Sequence, residues 1–188
     1  MNKKKSSNIA IIAIFFAIMI VIQYLSTTIF SIFPFPIKPT LVHLPVIVAS
    51  IAYGYRIGIL LGGLMGLLSL ITNTLLLSPA SYLFSPFVEG GNFYSLLIAF
   101  VPRLLIGFTP YVVYRLIHNK LGLILAGAIG SLTNTIFVLS GIFIFFAERY
   151  NGDIKLLLAS IITTNSLAEM LIAALVTTSL VPRLLGRK

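Results

Sequence analysis

The sequence predicts an all-α membrane protein in which residues 1–188 form a single integral membrane domain. The composition is the first reason, because 59% of the residues are hydrophobic and only 9% are charged, whereas about a quarter of the residues in soluble domains are charged. The length is the second reason, since 188 residues allow about six helical crossings of a bilayer joined by short loops. The distribution of Lys and Arg is the third reason, because it predicts that both termini lie in the cytoplasm.

Apolar runs broken by Pro, Gly and charged residues define the predicted helices. In chain order they span residues 8–30, 41–54, 56–77, 92–117, 121–147 and 154–184. The first follows a basic segment, and its apolar run is too long for a signal peptide, so we expect a retained helix. The second is short and contains His43 and Pro45, which predicts a tilted or partial crossing. The other helices are long enough to span a membrane.

The charged residues predict how these helices are oriented. With the N-terminus inside, the inner segments contain only basic residues, namely Lys3, Lys4, Lys5, Arg56, Arg115, Lys120, Arg183, Arg187 and Lys188. The outer segments contain both signs of charge, namely Lys38, Arg149 and Lys155 with Glu89, Glu148 and Asp153. Because cytoplasmic loops of membrane proteins are enriched in Lys and Arg, this distribution favours six transmembrane helices with both termini in the cytoplasm.

Small residues recur at helical spacing in three of the predicted helices. They are Ala10, Ala13 and Ala17 in the first, Gly54, Gly58, Gly62 and Gly66 in the third, and Gly122, Ala126 and Gly130, in register with Asn134, in the fifth. Small residues at this spacing let a second helix approach closely inside a membrane. For the glycines we expect packing within the chain. The alanines allow either internal packing or docking with a separate membrane protein.

Two strongly charged residues lie near the middle of predicted helices, Arg103 in the fourth and Glu169 in the sixth. A charge in the bilayer core costs at least about 2.5–3.5 kcal/mol, so each side chain needs a partner or a wet cavity. One interpretation is structural, with the two residues paired across the helices. The other is functional, with the Arg103 guanidinium binding a substrate carboxylate in a bidentate manner and Glu169 orienting it or accepting from a hydroxyl.

Four Asn residues accompany these charges, namely Asn73, Asn92, Asn134 and Asn165. Amides buried in a membrane must be hydrogen-bonded, and several that converge would form a site for a small polar ligand. Each amide could equally serve as a link between helices.

The sequence lacks several signatures of catalysis. It has no cysteine, and no GxxxxGK[ST] phosphate-binding loop, which argues against ATP hydrolysis by this chain. His43 and His118 are too far apart in the sequence to suggest a metal site. We therefore expect a facilitator or a transporter subunit, without cofactor or metal, in the plasma membrane. Two alternatives stay open, a non-transporting membrane scaffold and a membrane enzyme that uses Glu169 and His43.

The chain resembles the substrate-binding membrane subunits, called S components, of energy-coupling factor (ECF) vitamin transporters. The resemblance covers nearly the whole length and includes the Ala13-xxx-Ala17 spacing and the long outer loops at residues 31–40 and 78–91. Four runs are most similar to the pantothenate-specific members, namely VHLPV at 42–46, FSPF at 84–87, FVPR at 100–103 and SLTNT at 131–135.

The resemblance implies a bundle like that of other S components and a function in vitamin uptake. Such a subunit binds its vitamin with high affinity and associates with a transmembrane coupling protein, the T component, and with two cytoplasmic ABC ATPases that use the ATP. Ala10, Ala13 and Ala17 would form the docking surface. The pocket would lie in the outer half of the membrane and contain Asn92, Asn134 and Asn165, with Phe84 and Phe87 as apolar walls.

Pantothenate suits these residues because it combines a carboxylate with hydroxyls and an amide, which Arg103 and Asn side chains can bind. Other vitamins remain alternatives, among them riboflavin, pyridoxine or pyridoxamine, and a thiamine precursor. Riboflavin would favour a broader aromatic slot, and a cationic ligand would favour acids or an aromatic cage, whereas Glu169 is the one acid within the predicted helices.

Overall fold

The computed structural model describes residues 3–32, 41–146 and 154–186, and these ranges form helices without any strand. The seven α-helices are α1 (Lys3–Ile32), α2 (His43–Tyr53), α3 (Tyr55–Leu75), α4 (Phe93–Ile106), α5 (Thr109–Leu116), α6 (Lys120–Phe146) and α7 (Ile154–Leu185). Most of the outer loop at 31–40 lies outside the described residues, as do Glu148, Arg149, Asp153, Arg187 and Lys188. The all-α prediction is confirmed for the part of the chain that the structure describes.

Five stretches of helix in the described ranges are long and apolar enough to cross a membrane, and α2 is a shorter apolar helix. The predicted helix at 92–117 is in fact two helices, because the chain turns at Gly107 and Phe108 between α4 and α5. Pro110 lies in the first turn of α5, where a missing backbone N–H costs nothing. The break therefore lies between two helices, and Pro110 leaves no backbone N–H without a partner at the start of α5.

Helix α2 lies at the centre of the bundle. Every residue from His43 to Ala52 is buried, and the helix packs against α1, α3, α5, α6 and α7. Its 11 residues extend about 16 Å at the usual helical rise, roughly half of a hydrocarbon core about 30 Å thick. The short apolar run therefore forms the core around which the longer helices pack.

The glycines of α3 allow the closest helix contacts. A Cβ on Gly62 would lie 2.8 Å from the carbonyl carbon of Arg103, and a Cβ on Gly58 would overlap the backbone at Gly107. The Ser50 hydroxyl donates to the Gly107 carbonyl oxygen over 2.7 Å and links α2 to this contact. Packing within the chain is thus confirmed for these glycines, whereas Gly54 adopts a φ of +99° in the turn between α2 and α3.

Helices α6 and α7 run antiparallel in close contact through small residues. A Cβ on Gly127 would lie 2.6 Å from the Ala173 carbonyl oxygen, and the Thr177 hydroxyl is 2.9 Å from the Leu123 carbonyl oxygen. These contacts fix the register of the pair, so residues nearer the middle of α6 face residues nearer the middle of α7.

Helix α1 lies at the edge of the bundle and contributes Met19 to the core. Its small residues Ala10, Ala13 and Ala17 are all exposed in the chain. No internal partner covers this alanine face within the described residues, which distinguishes it from the glycines of α3.

The bundle has two different ends. The basic end carries Arg56, Arg115, Lys120 and Arg183 at the termini of α3, α5, α6 and α7. The loop end carries residues 76–92, which include a short 3₁₀ helix, Ser81–Leu83. That loop is anchored to the bundle by two hydrogen bonds, from the Ser95 hydroxyl to the Tyr82 carbonyl oxygen at 2.6 Å and between the Thr74 and Ser85 hydroxyls at 2.7 Å.

Candidate functional site

A proline and an arginine form a local unit within α4. Pro102 has no backbone N–H, so the carbonyl oxygen of Ile98 lacks its normal donor from the following turn. The Nη1 of Arg103 donates to this oxygen over 2.6 Å. Inside a membrane a carbonyl freed by proline must find another donor. The FVPR run therefore aims the arginine back along α4, towards the loop end.

Phe84 covers this guanidinium from the loop. Its ring centroid lies 5.1 Å from the Cζ of Arg103, within the range of a cation–π contact. Leu83 beside it is buried against Ile98, Ile142 and Phe146. The loop thus covers Arg103, and the role of Phe84 as a wall of the pocket stays a prediction. Phe87 is different, because its side chain is 74% exposed.

Several buried polar side-chain atoms have no protein partner. In the described ranges they include the Nε of Arg103, the Oδ1 of Asn134 and the Oγ of Ser131. Such atoms are rare in folded proteins, and each leaves an unmet demand for a hydrogen bond. The Nε of Arg103 is a donor, the Oδ1 of Asn134 is an acceptor, and the Ser131 hydroxyl can be either. A small ligand with complementary groups would satisfy all of them.

Asn134 and Ser131 belong to a set of buried polar residues that we call the polar layer, made up of Ser131, Asn134, Ser166 and Glu169. The first two are three residues apart and so share a face of α6. Continuing the register fixed by Leu123 with Thr177 and by Gly127 with Ala173, Ser131 is level with Glu169, and Asn134 is level with Ser166. The polar layer thus lies across the α6–α7 contact, close to the midpoint of α6.

Arg103 lies nearer the loop end than the polar layer. Ile98, whose carbonyl oxygen it binds, packs against Gly141 of α6. Gly141 is seven residues beyond Asn134, which places the guanidinium on the order of 10 Å from the polar layer along the helix axis. Because the Arg103 side chain points back along α4 to Ile98, its guanidinium lies nearer the loop end than its own Cα.

The structural pairing of Arg103 with Glu169 is not seen. Among the residues whose side chains the structure describes, the contacts of Arg103 are the Ile98 carbonyl oxygen and the Phe84 ring. Glu169 is buried at 5% exposure in α7. The two charges therefore lie in different parts of the candidate site, without a direct ion pair between them.

The other predicted amides have diverse environments. Asn92 is exposed and caps α4, with its Oδ1 accepting from the Tyr94 backbone N–H over 2.9 Å. Asn73 donates from Nδ2 to the Ser69 carbonyl oxygen over 2.8 Å, within its own helix. Asn165 belongs to α7, but its side chain lies outside the described residues. Of the three amides whose side chains the structure describes, Asn134 has the buried and unsatisfied oxygen that a ligand site requires.

Ser131 is a candidate site residue that was not selected from the sequence. A small hydroxyl in an apolar run usually bonds to its own helix, so it gives little signal. Its position three residues before Asn134 was the available sign, because the two must share a helix face. The Ser131 oxygen has no partner in the described part of the chain. This follows from how the helices pack, which the sequence does not show.

Comparison with known proteins agrees with this architecture. Residues 7–181 match the family described as ECF transporter, substrate-specific component. The chain is also 47% identical over 189 aligned positions to the pantothenic acid transporter PanT of Lactococcus lactis subsp. cremoris (strain MG1363), covering 98% of this chain and 96% of that protein. The chain therefore belongs to the family of substrate-specific components of ECF transporters, which makes it a multi-pass membrane transport protein and not an enzyme.

Proposed function

We propose that this chain binds pantothenate and delivers it to an ECF transporter for uptake. The observation that carries the proposal is the set of buried polar atoms without protein partners, the Nε of Arg103, the Oδ1 of Asn134 and the Oγ of Ser131. The named relative from Lactococcus lactis, a pantothenic acid transporter, supports the same ligand.

The shape of pantothenate fits the spacing of these groups. The molecule is elongated, with a carboxylate at one end, an amide in the middle and two hydroxyls at the other end. The Nε of Arg103 is directed to the carboxylate, because Nη1 is already engaged by Ile98. The Oδ1 of Asn134 and the hydroxyl of Ser131 bind the hydroxyl end of the ligand, on the order of 10 Å deeper.

The remaining predicted residues complete this pocket. Glu169 lines it from α7, and Phe84 closes it above Arg103. Asn165 stays a predicted ligand residue of α7, and its side chain lies outside the described residues. Asn92 and Phe87, which are both exposed, lie at the entrance and contact the vitamin as it enters. The ligand is therefore bound with its carboxylate towards the loop end and its hydroxyls towards the polar layer.

The loop end faces the outside of the cell and the basic end faces the cytoplasm. Arg56, Arg115, Lys120 and Arg183 would then follow the preference of basic residues for the inner side. Counting α2 as a partial crossing and α4 with α5 as one crossing, the chain crosses the membrane six times, with both termini in the cytoplasm.

The partners are a T component and two cytoplasmic ABC ATPases, which supply the energy from ATP. This chain itself carries no cofactor. Its docking surface is the alanine face of α1, Ala10, Ala13 and Ala17, which is exposed along one side of the helix. Small residues without an internal partner let a helix of the T component approach closely.

Two matched substitutions test the ligand site. Asn134→Leu removes the unpartnered oxygen, and we expect titration calorimetry to show at least about tenfold weaker pantothenate binding with little change in thermal stability. Thr177→Val is the control, because Thr177 is also buried in this helix pair but bonds to the Leu123 carbonyl oxygen. It should lower stability and leave binding unchanged. Equal binding by Asn134→Leu and the unmodified chain would contradict this site.

A further inference from the structure

An apolar groove lies on the side of the bundle formed by α3 and α4, away from the polar layer. It has a volume of about 580 Å³ and begins at Tyr55 and Arg56. Further along, its walls are Ile59, Leu60, Gly63, Leu64 and Leu104. Leu60 and Leu104 are 48% and 37% exposed, so the groove opens to the surroundings of the chain.

Arg56 lines the mouth of the groove, and Arg115 lies next to the mouth through a pair of tyrosines. The Nε of Arg56 lies 3.4 Å from the Tyr55 hydroxyl, and Nη1 of Arg115 lies 3.5 Å from the Tyr111 hydroxyl. The two tyrosine rings are 5.5 Å apart between centroids. The tyrosine pair therefore links two guanidinium groups at the same end of the groove.

Neither arginine has an acidic residue on its own helix, α3 for Arg56 and α5 for Arg115. The chain has four acidic residues, and none of them lies in α3, α4 or α5. Arg56 and Arg115 are both exposed, and their hydrogen bonds to the tyrosines are long. The mouth is thus a positively charged site whose natural complement is an anion.

We propose that this groove binds one anionic phospholipid from the leaflet that surrounds the basic end. The lipid phosphate lies between Arg56 and Arg115, and one acyl chain lies along the groove floor at Gly63. Basic pockets between transmembrane helices bind anionic headgroups in this way, and tyrosines prefer the interface between headgroups and hydrocarbon.

The dimensions of the groove favour a lipid. From Tyr55 to Leu64 it follows α3 for about 14 Å, close to the depth of one hydrocarbon leaflet. Its charge is at the end where headgroups lie, and its walls are apolar beyond Arg56. A free phosphate would use the mouth alone and leave the groove empty.

Native mass spectrometry of the full chain in detergent tests the proposal. Dioleoyl phosphatidylglycerol and dioleoyl phosphatidylcholine, which differ only in headgroup, are titrated separately. We expect the anionic lipid to bind about tenfold more tightly as a one-to-one complex. Glycerol phosphate, the headgroup without chains, should not displace it. Equal binding of the two lipids, or displacement by glycerol phosphate, would overturn the proposal.

Substitutions identify the groove as the binding site. Arg56→Gln with Arg115→Gln should abolish the preference for the anionic lipid, whereas Lys120→Gln with Arg183→Gln removes the same charge at the basic end and should retain it. Gly63→Leu fills the groove beside Leu104, where a Cβ would have an ordinary contact at 3.6 Å. It should weaken lipid binding about tenfold while the arginines stay in place. Circular dichroism melts establish that each variant is folded.

Two outcomes would reject this assignment. A loss of preference in the Lys120 and Arg183 control would show that general charge, and not the groove, selects the lipid. The second outcome concerns a protein partner on the same face. If the Arg56 and Arg115 variant kept its lipid preference but no longer copurified with the T component, the groove would be a protein-docking surface.

Discussion

At the scale of single residues, one proline determines how the guanidinium of Arg103 is placed. Pro102 frees the Ile98 carbonyl oxygen, and Arg103 binds that oxygen with Nη1 while its Nε stays unpartnered in the described structure. The arginine thus satisfies the backbone of α4 and, in the proposed site, offers its Nε edge to the ligand. These two functions of Arg103 can be separated experimentally.

Arg103→Met should remove both functions. The Ile98 carbonyl oxygen would be left without a donor, which costs about 1–3 kcal/mol of stability, and pantothenate binding should be lost. Adding Pro102→Ala restores a backbone N–H to that oxygen, so the double variant should regain thermal stability without regaining binding. Recovery of binding together with stability would mean that Arg103 has only a structural role.

Burial of a polar side chain was most predictable for residues that are costly to place in a membrane, whereas their role in binding a ligand stays a prediction. An arginine and an asparagine in apolar runs signal a buried polar site by themselves, and Arg103 and Asn134 are both buried with an unpartnered atom in the described chain. The environments of Asn92 and Ser131 were not predictable in the same way. Whether a short polar side chain caps its helix or faces a cavity depends on helix ends and helix register, which the sequence does not specify.

At the scale of helices, the contact of α3 with α4 positions Arg103. Gly62→Ala should place a methyl group against the Arg103 carbonyl and push the helices apart, costing about 1–3 kcal/mol and weakening pantothenate binding. Gly63→Ala is the matched control, since its Cβ would meet only the end of Leu104 at 3.6 Å. We expect thermal unfolding to change by less than about 1 kcal/mol in that variant. Equal effects of the two substitutions would contradict the packing described.

The exposed alanine face of α1 predicts a different phenotype. Ala13→Trp should leave pantothenate binding by the isolated chain unchanged but prevent copurification with the T component, because the large ring blocks close helix approach. Ile29→Trp is the control, as Ile29 is 50% exposed on the same helix but about 18 Å from Ala17. Normal assembly of the Ala13→Trp chain would show that the T component docks elsewhere.

The helices themselves were largely predictable, with two exceptions that have physical causes. Residues 92–117 form one apolar run, so periodicity gives no sign of the break at Gly107. The break depends on the close approach of Gly58 and on the hydrogen bond from Ser50, both of which come from other helices. The central position of α2 was also hidden, because a short apolar helix can equally lie at the edge of a bundle.

At the scale of the whole molecule, the chain combines three regions with different partners. The polar layer and Arg103 bind the vitamin, the alanine face of α1 binds the T component, and the groove at Tyr55 and Arg56 binds a lipid in our proposals. These regions lie on different helices or at different depths. A ligand bound between Arg103 and the polar layer would contact α4, α6 and α7 together, so binding should stabilise the fold as a whole.

The most direct test is equilibrium binding of labelled pantothenate to the purified chain in detergent, without its partners. Unlabelled pantothenate, riboflavin, thiamine, pyridoxine and biotin serve as competitors at equal concentrations. We predict saturable binding at one site per chain that only pantothenate displaces. Displacement by another vitamin would contradict the assigned ligand. Binding of none of these vitamins would contradict the central claim and favour a scaffold that assembles with partners.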